Sequence, residues 1–319
     1  MSFLVVFIKR LLAVAPVLLA VTFVTFMAMN FLGDPLVNLL GPPDTSPEYV
    51  RNREAAEKQF PRDEPVPVRY ARWLGDMATG DFGRSYQTQQ SVSQIVKDKL
   101  PISLALMVLA QLIALVIAVP WAVLSAGRAR SRIDRWGTTA SFVLIATPHL
   151  ALGVLLYYIF AVRLGWFPTR YDASGSVVDK LQALTLPALT LGLTLSASYQ
   201  RLLRVDLLAT LQEDFILTAQ SKGLKRSAIM RRHALRPSLF SLMTVFGIQT
   251  GALIGGTLVV ERIFTVPGVG LEIPAAVIRD DYPTVLAFVV IIACLFVVAN
   301  VLVDMLYGVV DPRVRRSHG

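Results

Sequence analysis

The chain has 319 residues, of which 54% are hydrophobic and 17% charged, with a formal net charge of +9. An average soluble domain carries about 25% charged residues; here the charges cluster between long apolar stretches, which excludes an ordinary soluble domain. The single cysteine, Cys294, excludes an intrachain disulfide or a cysteine metal site and reads as a small apolar side chain.

A helix needs about 20 apolar residues to cross about 30 Å of hydrocarbon. Six charge-free runs reach that length: residues 11–32, 100–127, 136–162, 181–200, 237–260 and 282–303. Backbone polar groups in lipid must be satisfied within the segment, so each run is predicted to be a helix. The first follows Lys9 and Arg10 as a signal peptide would. Its apolar core is longer than a signal's and no small-residue cleavage site closes it, so a retained span is expected.

Residues 33–99 are too many for a structureless loop. Ser46-Pro47-Glu48 has the pattern of an N-cap with proline at the first helical position, which predicts a helix through residues 51–60. Tyr70, Trp73, Leu74 and Met77 recur at helical spacing and predict an amphipathic helix. Gly80-Asp81-Phe82-Gly83 reads as a turn, and Val92, Ile95 and Val96 as a short interfacial helix leading into the second run. Proline-rich connectors at 41–43 and 61–67 separate these pieces. A small external helical subdomain is expected, the alternative being a poorly ordered loop. Pro120, Pro148 and Pro187 are each expected to kink the run that holds them. The outer loops 164–180 and 261–281 are short, and the second contains Pro267-Gly268-Val269-Gly270.

Orientation follows from Lys and Arg. With the N-terminus inside, the inner segments hold 17 of the 31 basic residues, while the short outer loops hold five. The nine in the long first outer loop are matched by ten acidic residues. Both ends are therefore expected in the cytoplasm, and the net charge is a topology signal rather than a nucleic-acid-binding face.

No G-x-x-x-x-G-K-[ST], H-E-x-x-H or G-x-S-x-G occurs in the sequence. The histidines, His149, His233 and His318, are too scattered to suggest a shared metal site. Asp304 stands near the inner end of the last run, and the mid-membrane carboxylates usual in ion-coupled carriers are lacking. His149 beside Pro148 is either structural, bonded to a carbonyl freed at the proline kink, or a proton relay. A carrier acting alone would need a coupling charge or selectivity ring, and a membrane enzyme would need paired catalytic side chains at one depth; neither is visible.

Residues 201–236, between the fourth and fifth runs, stand out. Leu208, Leu211, Phe215 and Ala219 are spaced as one apolar helical face. Ser221-Lys222-Gly223 breaks it, glycine being the usual left-handed stop. A second helical piece over 225–235 sets Arg226, Arg231 and Arg232 opposite Ala228, Ile229 and Leu235, and Pro237 opens the fifth run. An ordinary basic loop needs neither an apolar stripe nor a placed glycine. The pattern predicts a helix–Gly–helix projection that a partner grips.

Asp214-Phe215-Ile216, Thr218-Ala219, Lys222-Gly223-Leu224 and His233-Ala234-Leu235-Arg236 resemble the EAA loop of binding-protein-dependent ABC importer permeases, most of all the dipeptide/oligopeptide/nickel branch. Similar stretches span nearly the whole chain. They are Lys9-Arg10-Leu11-Leu12, Pro16-Val17-Leu18-Leu19, Gly33-Asp34-Pro35, Arg72-Trp73-Leu74 with Gly80-Asp81-Phe82-Gly83, and Leu186-Pro187-Ala188-Leu189-Thr190-Leu191-Gly192. Toward the end come Glu261-Arg262-Ile263-Phe264 with Pro267-Gly268-Val269-Gly270, Asp281-Tyr282-Pro283, Asp304 to Tyr307 and Asp311-Pro312-Arg313. The chain departs from the family pattern in placing Leu217 where the EAA glutamate would stand. Its closing proline, Pro237, comes one or two positions late, and His149 replaces an expected Ser or larger apolar residue.

The resemblance implies an all-α polytopic membrane protein with six transmembrane helices in the type I ABC importer permease fold and a small external helical subdomain between the first two. It implies a first helix and external subdomain over residues 1–94, a five-helix core over 95–310 with the EAA loop at 205–236, and a cytoplasmic tail over 311–319. The implied function is half of the translocation pathway for dipeptides or short oligopeptides. The alternatives are a nickel-chelate, haem or other small-solute importer and, further off, a stand-alone carrier or channel. The implied partners are a second homologous permease, two cytoplasmic ATPases, an external solute-binding protein and the lipid bilayer of a bacterial inner membrane, with no nucleic acid. ATP and Mg would be used by the ATPases, leaving this chain with no catalytic residue, metal or cofactor. The ATPase-docking residues would be Asp214, Phe215, Thr218, Ala219, Lys222, Gly223, Leu224, Arg226 and His233. Small and polar span residues are candidates for the path: Thr147, Thr194, Ser198, Gln249 and Thr250, with Ser141 and Thr190. The alternative for each is helix packing, which also favours such residues.

Overall fold

The computed structural model describes residues 15–16, 18–27, 45–47, 50 and 64–310, with side-chain surroundings through 299 and at 301. The helix expected at 51–60, the connector 41–43, Glu48, Asp34, the 311–319 tail and the surroundings of Asp304 lie outside the described residues. Within them the fold is helical, with one isolated bridge between Arg84 and Ser91. The helices are α1 Leu18–Met27, α2 Val66–Ala78, α3 Val92–Gly127, α4 Arg132–Ala146 and α5 His149–Leu156, the last continuing as a π-helix over Tyr157–Arg163. Then come α6 Val177–Thr210, α7 Asp214–Ser221, α8 Arg226–Ile263, α9 Val269–Ile278 and α10 Tyr282–Val310.

Among the described residues, α3, α6, α8 and α10 are long and apolar enough to cross a membrane, or five spans if α4 and the α5 segment count as one. That pair is bent by 102°. The break falls at Thr147-Pro148, so Pro148 does far more than kink the third run. Thr147 takes an extended ψ of 121°, as the residue before proline must, and no helix can pass through it. Pro120 and Pro187 instead stay inside α3 and α6. The interfacial helix expected at Val92, Ile95 and Val96 is the first part of α3, whose 36 residues span about 54 Å at 1.5 Å per residue.

Two compact units divide the chain: Met1–Ile102 with Leu271–Val297, and Ser103–Gly270 with Val298–Gly319. In the first, the amphipathic face of α2 lies on α1. Tyr70 donates to the Leu19 carbonyl (3.0 Å), meets the Thr22 hydroxyl at 2.6 Å, and makes an edge contact with Phe23 at 5.2 Å between ring centroids. Trp73 stacks on Tyr70, and Phe26 packs on both rings. The turn at Gly80-Asp81-Phe82-Gly83 closes when the Gly83 N–H donates to Asp81 Oδ1 (2.9 Å). Beyond it Ser85 Oγ and the Tyr86 N–H donate to the buried Asp281 carboxylate, at 2.5 and 3.0 Å. Asp281 immediately precedes α10 and also accepts from Thr284 Oγ1 at 2.8 Å.

In the second unit α6 is the central rod, packed against α4, α5 and α8. Ser176 and Asp179 start it with a reciprocal capping box. Ala110, Ala114, Ala118, Ala122 and Ala126 of α3 recur every fourth residue and are all buried. Small residues at this spacing let helix backbones approach closely. Gly192 of α6 marks the closest approach: a Cβ there would fall 2.8 Å from Ile113 Cγ2 and 2.9 Å from the Ala110 carbonyl. Polar ties join the helices at successive levels of α3. Ser103 Oγ donates to Glu261 of α8 (2.6 Å), Gln111 Nε2 to Thr250 of α8 (2.9 Å), and the Tyr199 hydroxyl of α6 to Gln111 Oε1 (2.8 Å). Ser141 of α4 donates to Gln200 of α6 (2.6 Å), which reaches Ser125 of α3 at 3.4 Å.

Residues 261–281, expected as a plain loop, contain α9. Val269, Ile273, Ala276 and Val277 have helical spacing, but Pro274 and the two glycines disguise it.

Candidate functional site

The segment between α6 and α8 is built by two helix endings. The first is at Thr210, with Leu211 as its cap, and the chain turns through Gln212 and Glu213 into α7. Leu208, Leu211, Phe215 and Ala219 therefore do not share one helical face, because the helix breaks between Leu211 and Phe215. The inward face of α7 is Ile216 and Ala219 instead. Phe215, Leu217 and Leu224 are 47%, 54% and 41% exposed, three large apolar side chains turned away from the unit's interior.

The second ending is a Schellman motif. The Gly223 N–H donates to the Gln220 carbonyl (2.8 Å) and the Leu224 N–H to the Ala219 carbonyl (3.3 Å). Gly223 has φ +72°, while nothing lies within 4 Å of a Cβ built on it. The glycine is required by backbone sign rather than by space. The chain then enters α8 through Lys225 and passes a π-helical turn at Ile229–Ala234. This wide turn directly precedes Pro237, whose ring would crowd the His233 carbonyl in a regular α-helix. The fifth run thus begins inside a continuous helix rather than at Pro237. Ile229, Met230 and Ala234 are buried while Arg226, Arg231 and Arg232 are exposed, the two-sided helix that the sequence predicts.

Of the nine proposed docking residues, Asp214, Phe215, Thr218, Lys222, Gly223, Leu224 and Arg226 are exposed on this one projection, His233 is half-buried and Ala219 is buried. Thr218 Oγ1 donates to the Asp214 carbonyl (3.1 Å), and Arg226 Nη2 to the Gly127 carbonyl at the end of α3 (2.8 Å).

A cluster that the sequence reading missed stands at the foot of α6. Arg204 donates Nε and Nη2 to the two oxygens of Asp134, at 2.5 and 2.7 Å. Asp134 is 3% exposed and also accepts the Arg130 N–H (2.9 Å). It lies in the first turn of α4, ahead of the charge-free stretch that begins at Trp136. The hydrogen bond from Arg204 holds its carboxyl below the usual carboxylate range, against a smaller opposing effect of burial. The Ser131-x-x-Asp134 spacing is legible as a helix start, and Ser131 Oγ accepts the Asp134 N–H. No spacing rule points from Asp134 to Arg204, 70 residues away.

The path candidates divide. Thr147 caps α4 and donates to the Val143 carbonyl, and Thr194 and Ser198 lie partly exposed on one face of α6. Gln249 is half-buried on α8, and Thr250 is tied to Gln111. Ser141 and Thr190 are fully buried, as packing residues are. His149 stands half-buried at the start of α5, and its Nδ1 has no hydrogen-bond partner among the described residues, so the expected bond to a freed carbonyl does not form. Among the described residues no three His, Cys, Asp or Glu side chains converge on a metal position.

Comparison with known proteins adds three findings. Residues 118–316 match the family described as "Binding-protein-dependent transport system inner membrane component". The chain is similar along nearly its full length to three curated relatives. It is 37% identical to the oligopeptide transport system permease protein AppB of Bacillus subtilis, over 96% of this chain and 98% of that one. It is 35% identical to a putative peptide transport system permease protein of Brucella abortus (97% and 98%). It is 30% identical to the dipeptide transport system permease protein DppB of Alkalihalophilus pseudofirmus (96% and 98%). In fold it is similar to a chain of the inward-facing MetNI methionine ABC transporter, with a TM-score of 0.56 at 15% identity, over 68% of this chain and 97% of that one.

Proposed function

Because the chain belongs to the family of binding-protein-dependent transport system inner membrane components, we propose that it is a permease subunit of a peptide importer. It is a multi-pass inner-membrane transport protein rather than an enzyme, and its fold is that of the type I ABC importer permeases. The similar proteins from Bacillus, Brucella and Alkalihalophilus are named for oligopeptide, peptide and dipeptide transport, which favours dipeptides or short oligopeptides over a nickel chelate or haem.

The observation that carries the mechanism is the projection at α7. It is a short helix stopped by Gly223, with Phe215, Leu217 and Leu224 exposed beside Asp214, Lys222 and Arg226. An exposed apolar cluster rimmed by charges fits a protein partner. In this reading a cytoplasmic ATPase grips α7 from below. A second, homologous permease completes the pathway, and an external solute-binding protein delivers the peptide. Both termini face the cytoplasm, as the distribution of Lys and Arg favours. ATP and Mg act on the ATPases, and their closure moves α7 with α6 and α8 as rigid bodies to alternate access.

Reconstitution of this chain with the partner permease, the ATPases and the binding protein tests the reading. Uptake of a tritiated dipeptide that requires ATP supports it. Uptake by the permease without ATPase would refute it.

A further inference from the structure

On both flanks of α7 the chain is fastened to the same short turn with its two helix ends, residues 127–134 at the junction of α3 and α4. Upstream, Arg204 in the last two turns of α6 grips Asp134 with two hydrogen bonds of 2.5 and 2.7 Å. Downstream, Arg226 at the start of α8 donates to the Gly127 carbonyl at 2.8 Å, and Met230 Cε lies 3.7 Å from a Cβ built on Gly127. The turn is itself braced. Arg130 adopts φ +63°, a costly value for a side-chain-bearing residue, and its N–H donates to Asp134 Oδ2. Ser131 caps α4 at the same place.

The chemistry of the Arg204–Asp134 pair differs from that of a surface ion pair. A lone exposed pair contributes little. A guanidinium held bidentately on a buried carboxylate fixes distance and angle together, and removing one partner strands the other charge. Only six residues separate Arg204 from the end of α6 at Thr210, a lever of about 9 Å at 1.5 Å per residue. Displacement that α7 delivers through the turn at 211–213 to the end of α6 therefore reaches Asp134 over a short helical lever. Two bodies then receive it. The alanine-striped α3, one continuous helix, meets α6 closely at Gly192 and is tied to it by the Tyr199–Gln111 bond. The N-terminus of α4 leads into the 102° break at Thr147-Pro148, where a change of angle meets no continuous helix.

We propose that the turn 127–134 is a second coupling element, and that Asp134 and Arg204 are positioning residues that pass movement of α7 into α3 and α4. This rests on the reading that α7 docks an ATPase.

The test uses the full importer in proteoliposomes, with Cys294→Ala and spin labels at Arg132→Cys and Gln212→Cys, both exposed positions. Two quantities are read: tritiated dipeptide taken up per ATP hydrolysed, and the 132–212 distance without nucleotide and after vanadate trapping. With the pair intact, one narrow distance persists in both states. Asp134→Asn and Arg204→Gln keep ATPase co-purification and hydrolysis within about twofold, spread the distance, and lower uptake per ATP about tenfold. Arg204→Lys, which keeps one charged donor, gives a value between. An unchanged uptake per ATP in both variants overturns the proposal. So does loss of ATPase co-purification, or of the permease itself, in step with uptake, since the pair is then only architectural. If the unaltered importer hydrolyses ATP but takes up no dipeptide, the cargo reading falls and the distance measurement alone decides the coupling.

Discussion

Substituting Gly223 separates two reasons a glycine can be indispensable. Its φ of +72° lies in the left-handed region, while a Cβ there meets nothing within 4 Å. The cost of a side chain is thus a backbone cost, about 1–2 kcal/mol for an ordinary residue. Asparagine visits this region several-fold more often than most residues and should cost less than about 1 kcal/mol. Alanine should cost about 1 and the β-branched valine about 2 or more. Since about 1.4 kcal/mol is a factor of ten in affinity, ATPase binding should weaken roughly fivefold for Gly223→Ala and thirtyfold for Gly223→Val, with Gly223→Asn close to the parent. The assay is titration of the detergent-solubilised permease with its ATPase subunits, with membrane insertion checked in parallel. If valine binds as tightly as glycine, the Schellman stop does not shape the dock. If asparagine is as damaging as valine, the glycine is needed for a partner's close approach, and the backbone argument fails.

Gly192→Ala should behave oppositely, because there the backbone is ordinary and the space is not: overpacking against Ile113 and the Ala110 carbonyl should lower stability by about 1–3 kcal/mol in detergent unfolding. Gly192→Asn should be worse than Gly192→Ala, the reverse of the order at Gly223. Tyr199→Phe removes the donor to Gln111 Oε1 inside the unit and should cost about 1–3 kcal/mol by the same measurement. Acid should weaken the Arg204–Asp134 pair. Its carboxyl is depressed in the folded chain, so its contribution is full above the unfolded value of about 3.9 and is lost as pH falls through the lower folded value. Thermal unfolding followed from pH 7 to below about pH 3.9 should show a larger loss of stability in the parent than in Asp134→Asn.

The long apolar helices α3, α6, α8 and α10 and the helix stop at Gly223 were legible because length, charge spacing and glycine act locally. The same holds for the aromatic face of α2, where Tyr70 and Trp73 stack on one another, half-buried, as their spacing predicts. What local pattern could not supply was the partner of each polar side chain. Ser141 and Thr250 are path candidates in a string of letters, and the fold adds that they bond Gln200 and Gln111. The apolar stripe from Leu208 to Ala219 failed for a related reason. Periodicity assumes one unbroken helix, and the turn at 211–213 shifts the phase so that Ile216 replaces Phe215 on the inner face. The break at Pro148 was located correctly but its size was not, since sequence gives the missing N–H and not how far the neighbouring helices pull the two halves apart.

Two motifs that look unrelated in sequence both set a buried carboxylate at the start of a helix. A helix N-terminus presents unpaired N–H groups and partial positive charge, which a carboxylate satisfies best. At α9 the carboxylate is Glu261, fully buried, which accepts the Gly270 N–H at 2.6 Å, while Ser103 Oγ bonds Glu261 and accepts the Val269 N–H at 2.8 Å. At α10 Asp281 stands immediately before the helix, and its carboxylate accepts from Ser85 Oγ, the Tyr86 N–H and Thr284 Oγ1 rather than from a backbone N–H of the helix. The glycines follow from this. A Cβ at Gly268 would collide with Ser103 Oγ and the Glu261 carboxylate, and one at Gly270 would fall 2.7 Å from Glu261 Oε2. Pro267-Gly268-Val269-Gly270 is therefore the wrapping that a buried carboxylate demands of backbone coming within hydrogen-bond reach, and Glu261 and the two glycines are one feature written ten residues long.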